Sequence, residues 1–125
     1  MAKRLRVYVA GPYSANNVLG VLRNIGRGER ACAELFRHGV APFCPWHDKS
    51  YAMDALCQGV EVEDFREHSM AWLEASEAVY VLEGHAASVG TTAEIARAIE
   101  LGIPVCYDML DVLALAADMN EQSNG

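Results

Sequence analysis

The chain has 125 residues, 52% hydrophobic and 22% charged, which suits one domain built around one core. Its net charge of −7, with basic residues clustered only at Lys3, Arg4 and Arg6, argues against a groove for a nucleic-acid polymer, because such grooves are lined by Lys and Arg. The first apolar run, Leu5–Ala10, is too short for a signal-peptide core or a membrane span, so no membrane partner and a cytoplasmic location are expected.

In chain order, Leu5–Ala10 reads as a buried strand that ends at the turn Gly11-Pro12. From about Asn17 to Arg37 apolar residues recur at helical spacing (Val18, Leu22, Ile25, Ala31, Leu35), weakened in the middle by Gly26 and Gly28 and stopped at Gly39. Val40–Cys44 is the next strand, ended by Pro45. The stretch from Trp46 to Gly59 has no period and is expected as a loop, although it carries Trp46, His47, Asp48 and Tyr51. Glu61–Glu74 reads as a helix, Ala78–Leu82 as a strand, Gly84–Gly90 as a second loop and Thr91–Leu101 as a helix closed by Gly102. A strand over Pro104–Tyr107 and a helix over about Leu110–Met119 complete the order.

Strands that are apolar throughout and alternate with helices imply a parallel sheet covered on both faces. The expected fold is a three-layer α/β domain, flavodoxin- or Rossmann-like, over residues 1–119, with residues 120–125 as a flexible tail. Ligands in such sheets bind beyond the carboxyl ends of the strands, which gathers Gly11–Asn17, Pro45–Tyr51 and Gly84–Glu94 on one rim. The four cysteines (Cys32, Cys44, Cys57, Cys106) are widely spaced among apolar neighbours and are expected as reduced thiols. Cys44 and His47 have a ligand-like spacing, but no second such pair completes a zinc set, so no metal is expected.

Three constellations on that rim can carry chemistry. Tyr8-Val9-Ala10-Gly11-Pro12-Tyr13-Ser14 joins a strand to a close turn, with Ser14, Asn16 and Asn17 as neutral hydrogen-bonding groups. Ser88-Val89-Gly90-Thr91-Thr92-Ala93-Glu94 enters a helix, whose free N–H groups and positive end suit a phosphate and would keep a carboxylate ionised. Thr91-x-x-Glu94 equally fits a capping box, in which the Glu serves only the helix end. On the middle helix, Asp64 and His68 stand four apart and could present an acid and a base together, or form a solvated face.

Taken together, the segments YVAGPYS, WLEASEAVYVLEG and SVGTTAEIARAIELGIPV make the chain resemble the nucleoside 2-deoxyribosyltransferase superfamily. It is closest in style to short phage and bacterial members and similar more distantly to deoxynucleoside 5′-monophosphate N-glycosidases and CMP hydrolases. The resemblance implies that Glu94 attacks the anomeric carbon as the base departs, giving a covalent ribosyl-enzyme ester, with Tyr8 holding the nucleophile and Gly11 lying beneath the sugar. It aligns Ser88 with the serine that contacts phosphate in the monophosphate hydrolases, where free-nucleoside transferases carry an acidic residue. Ser88, Gly90 and Ser14 would then surround the 5′ end, and Pro12, Tyr13, Trp46 and His47 would line the substrate, with the rings of Trp46, His47 and Tyr13 recognising the base.

Two positions depart from the family pattern. Ser69 stands where the family carries a catalytic Asp, which leaves Asp64 or His68 to compensate, or the activity to be lost. Ser14 stands where the monophosphate glycosidase has an arginine, which leaves Arg23, Arg27 or backbone to meet the phosphate. The implied substrate is a small nucleotide or nucleoside, with no cofactor, and the implied assembly is a homodimer or larger homo-oligomer. The alternatives are base exchange, or a nucleotide sensor that keeps the pocket without turnover.

Overall fold

The alternation of side chains along the first strand sets the layout. In β1 (Arg6–Ala10), Val7 and Val9 point to one side of the sheet and Tyr8 and Ala10 to the other, and all four are buried. A computed structural model describes residues 3–124. It adds the strands β2 (Ala41–Phe43), β3 (Ala78–Val81) and β4 (Val105–Cys106), all parallel and ordered β2-β1-β3-β4. The helices are α1 (Val18–Arg37), α2 (Lys49–Met53), α3 (Val62–Glu74), α4 (Val89–Glu100) and α5 (Met109–Asn124).

Helices cover both faces, as the unbroken apolar strands imply. On one side α1 and α5 pack on Val7, Val9 and Ala78, and on the other α3 and α4 pack on Tyr8, Ala10, Val79 and Val81. The buried stripe of α1 is Ile25, Gly28, Ala31, Cys32 and Leu35, spaced three or four apart so that they share one face. Leu35 and Leu73 are fully buried, and each such side chain contributes roughly 1.5–3 kcal/mol relative to exposure. Asn17 caps α1 by accepting from Gly20 N at 2.8 Å, and Gly39, at φ 85°, ends it. The four cysteines are unpaired, and among the described residues no helix is long and apolar enough to cross a membrane.

Two expectations need correction. The stretch after Trp46 is folded rather than a loop: Pro45–Asp48 and Ala55–Cys57 are 3₁₀ turns on either side of α2. These elements are each one or two turns long, too short to print a period, and rest on local devices. Pro45 opens the first, and Asp54 caps the last by accepting from Leu56 N at 2.9 Å. The final helix also runs past Met119 to Asn124, because no Gly or Pro stops it, so residues 120–124 of the expected tail are helical; Gly125 lies outside the described residues.

From β1 the chain moves to one side to form β2 and later returns to the other side to form β3. The connections after β1 and β3 therefore diverge, and the crevice between their carboxyl ends is where ligands bind in sheets of this kind.

Candidate active site

Tyr8 is buried on the α3/α4 side of β1 because every second residue of the strand must face that layer, and its hydroxyl donates to Glu94 Oε2. This contact settles which role Glu94 plays in the helix. The N-cap of α4 is Ser88, whose Oγ accepts from Thr91 N at 3.2 Å and from Thr91 Oγ1 at 2.9 Å. Glu94 lies well past the first turn, so the Thr91–Glu94 capping box is not formed.

The position of Glu94 also corrects the expected source of its charge state. The field of a helix terminus fades beyond the first turn, and burial takes over. Burial pushes the Glu94 carboxyl from its ordinary 4.5 up to about 7, with the Tyr8 hydrogen bond pulling the other way. Burial, and then the nearby Glu94 charge, raises Tyr8 well above its ordinary value, so its phenol remains a donor. Both acceptor sites of Ser88 Oγ are used in the cap, which leaves its own hydroxyl hydrogen to give to a ligand. The space beside Gly90, in the first turn of α4, is open.

On the other side of Tyr8 stands a residue to which the sequence assigned no role. Asp48 is only 9% exposed, accepts from Ser69 Oγ at 3.4 Å and faces His68 Nδ1 at 3.7 Å. Burial raises its carboxyl above the ordinary carboxylate range, opposed first by the His68 charge and then by the Ser69 hydrogen bond. The Ser69 hydroxyl, whose one hydrogen goes to Asp48, also lies beside the Tyr8 hydroxyl. Glu94, Tyr8, Ser69, Asp48 and His68 thus form one connected group drawn from α4, β1, α3 and the turn after β2. Arg97 of α4 donates to Glu74 of α3 at 2.6 Å, which ties together the two helices that frame it. The one cue to Asp48 in the sequence is an acidic residue just beyond the carboxyl end of β2, in the rim segment where ligand-facing groups collect.

Other residues of the expected site fall elsewhere. Asp64 is not a partner of His68: its Oδ2 accepts from Glu61 N at 2.8 Å and completes the capping box that starts α3. Trp46 offers no ring face to a base, being 1% exposed, with its Nε1 donating to Pro12 O at 3.2 Å. A Cβ at Gly11 would stand 3.1 Å from the Trp46 ring and 3.2 Å from Leu82 Cβ, so the turn after β1 lies flush on that indole. His47 is exposed and pairs with Glu29 at 3.3 Å. Tyr13 and Ser14 are exposed, and their carbonyls each accept from Asn24 Nδ2 at 3.2 Å, which tethers the loop to α1. Surface hollows of about 360 and 480 Å³ lie along α4 and between α1, the end of β3 and the turn after β4, and neither is lined by Glu94 or Tyr8.

Residues 5–108 match the family model described as domain of unknown function DUF7768. The chain belongs to the DUF7768 family. No curated protein matches this DUF7768 chain. Among solved structures, a 2-deoxyribosyltransferase from Bacillus psychrosaccharolyticus superposes with a TM-score of 0.56, over 80% of this chain and 69% of that one, at 15% identity. At that identity the likeness shows a shared fold: this DUF7768 domain is built on the same parallel α/β plan as that enzyme.

Proposed function

We propose that this chain cleaves the N-glycosidic bond of a (deoxy)nucleoside 5′-monophosphate and releases the free base, with Glu94 as the nucleophile. The observation that carries the reading is the Tyr8–Glu94 hydrogen bond, which holds a carboxylate partly out of water with no cap or ion pair among the described residues to explain it. A carboxylate so held stabilises positive charge building on the anomeric carbon and can then bond to it, as in retaining glycoside hydrolysis. The spare Ser88 hydrogen and the open Gly90 turn, at the positive end of α4, suit a 5′-phosphate better than an acidic residue would. With Trp46 buried, Tyr13 and His47 are the exposed rings of the expected set left to meet the base. The chemistry as written needs no metal or redox cofactor.

Base exchange is the second reading, favoured by the fold shared with a 2-deoxyribosyltransferase. It differs only in whether water or a second base resolves the ester. A nucleotide sensor without turnover is the third. Chromatography of free base from a panel of ribo- and deoxyribonucleoside 5′-monophosphates and the matching nucleosides, with and without an acceptor base, separates the three. Release that needs phosphate and Glu94 supports the hydrolase, release only with acceptor supports transfer, and binding without release leaves the sensor.

The pH dependence is a stricter test, because attack needs the ionised carboxylate. The kcat/KM of the wild type should rise with pH through about 7, where Glu94 loses its proton. Tyr8→Phe removes the hydrogen bond that favours ionisation, so its rising limb should move to higher pH and its rate at neutral pH should fall. A limb that stays in place in Tyr8→Phe would mean that Tyr8 does not govern the nucleophile. The reading also includes a homodimer or larger homo-oligomer, which would cover exposed apolar side chains such as Met53 and Leu56. Light scattering that returns only the 13.6 kDa mass of one chain would remove that part.

A further inference from the structure

Asp48 uses its two oxygens on two neighbouring residues of α3: Oδ2 receives Ser69, and Oδ1 faces the imidazole of His68. Asp48 is nearly closed off from water while the His68 side chain is 41% exposed, so the imidazole is the part of the pair that a ligand can touch. The ring is also held in place. Tyr51 of α2 meets it edge-on, with centroids 5.9 Å apart and planes at 82°, and Phe43 of β2 lies against it at 6.2 Å. Phe43 is in turn stacked on Tyr8 at 5.5 Å. A carboxylate beside Nδ1, here at ion-pair distance, favours the proton on that nitrogen and leaves Nε2 for other work. Phe43 thus links the imidazole to the tyrosine that holds Glu94.

We propose that Asp48 and His68 form a carboxylate–imidazole pair that protonates the departing base, His68 as the catalytic acid and Asp48 as the residue that positions it. The inference rests on the reading of Glu94 as nucleophile. As the glycosidic C–N bond breaks, its electron pair passes to the base nitrogen, which takes the proton from His68 Nε2 while a Glu94 oxygen bonds to the anomeric carbon. Water then displaces Glu94 from that carbon and gives its proton to the neutral imidazole. Both groups return to their starting charge, and the products are the free base and the sugar phosphate.

The test compares base release by wild type, Glu94→Ala, His68→Gln, Asp48→Asn and the His68→Gln/Asp48→Asn double variant on two substrates. One is a purine nucleoside 5′-monophosphate, and the other is its 7-methylated counterpart, whose base leaves as a neutral molecule and takes up no proton. His68→Gln should lose on the order of 10²- to 10³-fold on the first substrate and less than about threefold on the second. Asp48→Asn should lose about tenfold on the first and add little to His68→Gln in the double variant, as expected of residues acting as one unit. Equal losses on both substrates, or no loss on either, would overturn the acid role.

A wild type as inactive as Glu94→Ala on both substrates would instead remove the nucleophile reading, and the proposal with it. The pair itself has a readout that needs no turnover. The ¹⁵N ring signals of His68 at alkaline pH should show the Nδ1–H form in wild type and lose it in Asp48→Asn. Signals that do not change on that substitution overturn the pairing whatever the activity.

Discussion

Glu94→Gln is expected to lose base release by on the order of 10⁴-fold or more while making the protein harder to unfold at alkaline pH. The loss follows from chemistry, since an amide cannot close on the anomeric carbon as a carboxylate can. The gain follows from linkage. The folded state holds the Glu94 proton up to about pH 7, against an ordinary 4.5, so the stabilisation is complete below 4.5 and is lost as pH rises through 7. Across that window wild type should give up roughly 3 kcal/mol that the variant keeps, since one pKa unit is about 1.4 kcal/mol. The amide oxygen can still accept from Tyr8, so little else should change. Urea unfolding near pH 4 and near pH 8 measures this: the two proteins should nearly coincide at the lower pH and separate at the higher. The same stability gap at both values would mean that the carboxyl titrates as an ordinary one, and the argument for a poised nucleophile would fall.

Gly28→Ala is expected to destabilise the fold by about 3 kcal/mol, whereas Gly26→Ala, two residues away on the same helix, should stabilise it by roughly 0.5–1 kcal/mol. A Cβ at Gly28 would overlap the Trp46 indole at Cδ2, Cε3 and Cε2. That ring cannot retreat, because it is buried and its Nε1 is bound to the carbonyl of Pro12. Nothing lies within 4 Å of a Cβ at Gly26, so alanine there only relieves the entropy cost of an exposed helical glycine. Chemical denaturation of the two single variants measures both effects. Similar small changes in each would mean that α1 and Trp46 are not in contact. Because Trp46 also supports Gly11 and Pro12, Gly28→Ala should disturb the turn beneath the proposed substrate as well.

The two glycines illustrate how much of this protein could be read in one dimension. Both appear in the sequence as weak points in the middle of a helix; the three-and-four spacing puts Gly28 on the apolar stripe with Ile25 and Ala31 and Gly26 off it, but does not show that an indole is what Gly28 meets. The strands and long helices were legible because their signals are local: the unbroken apolar runs of β1 and β3, the three-and-four spacing of α1, and Asn17 and Gly39 at its ends. The parallel, doubly covered sheet follows from those signals. The short elements around α2 were not legible, since five residues or fewer cannot display a period.

Residue types along the chain thus determined the parallel α/β fold class, while Tyr8 and Glu94 were singled out only by the resemblance of their segments to a known superfamily. Folding decided the partners. Whether Glu94 caps its helix or meets Tyr8 depends on a contact between residues 86 apart, and the fate of Trp46 on one spanning 34. The partner of Ser69 depends on a contact spanning 21 residues, which brings Asp48 to it, while Asp64, nearer in the chain, is spent on its own helix end. Hydrogen bonds and burial act over a few ångströms of space. A sequence shows them in advance only where neighbours in space are also neighbours in the chain.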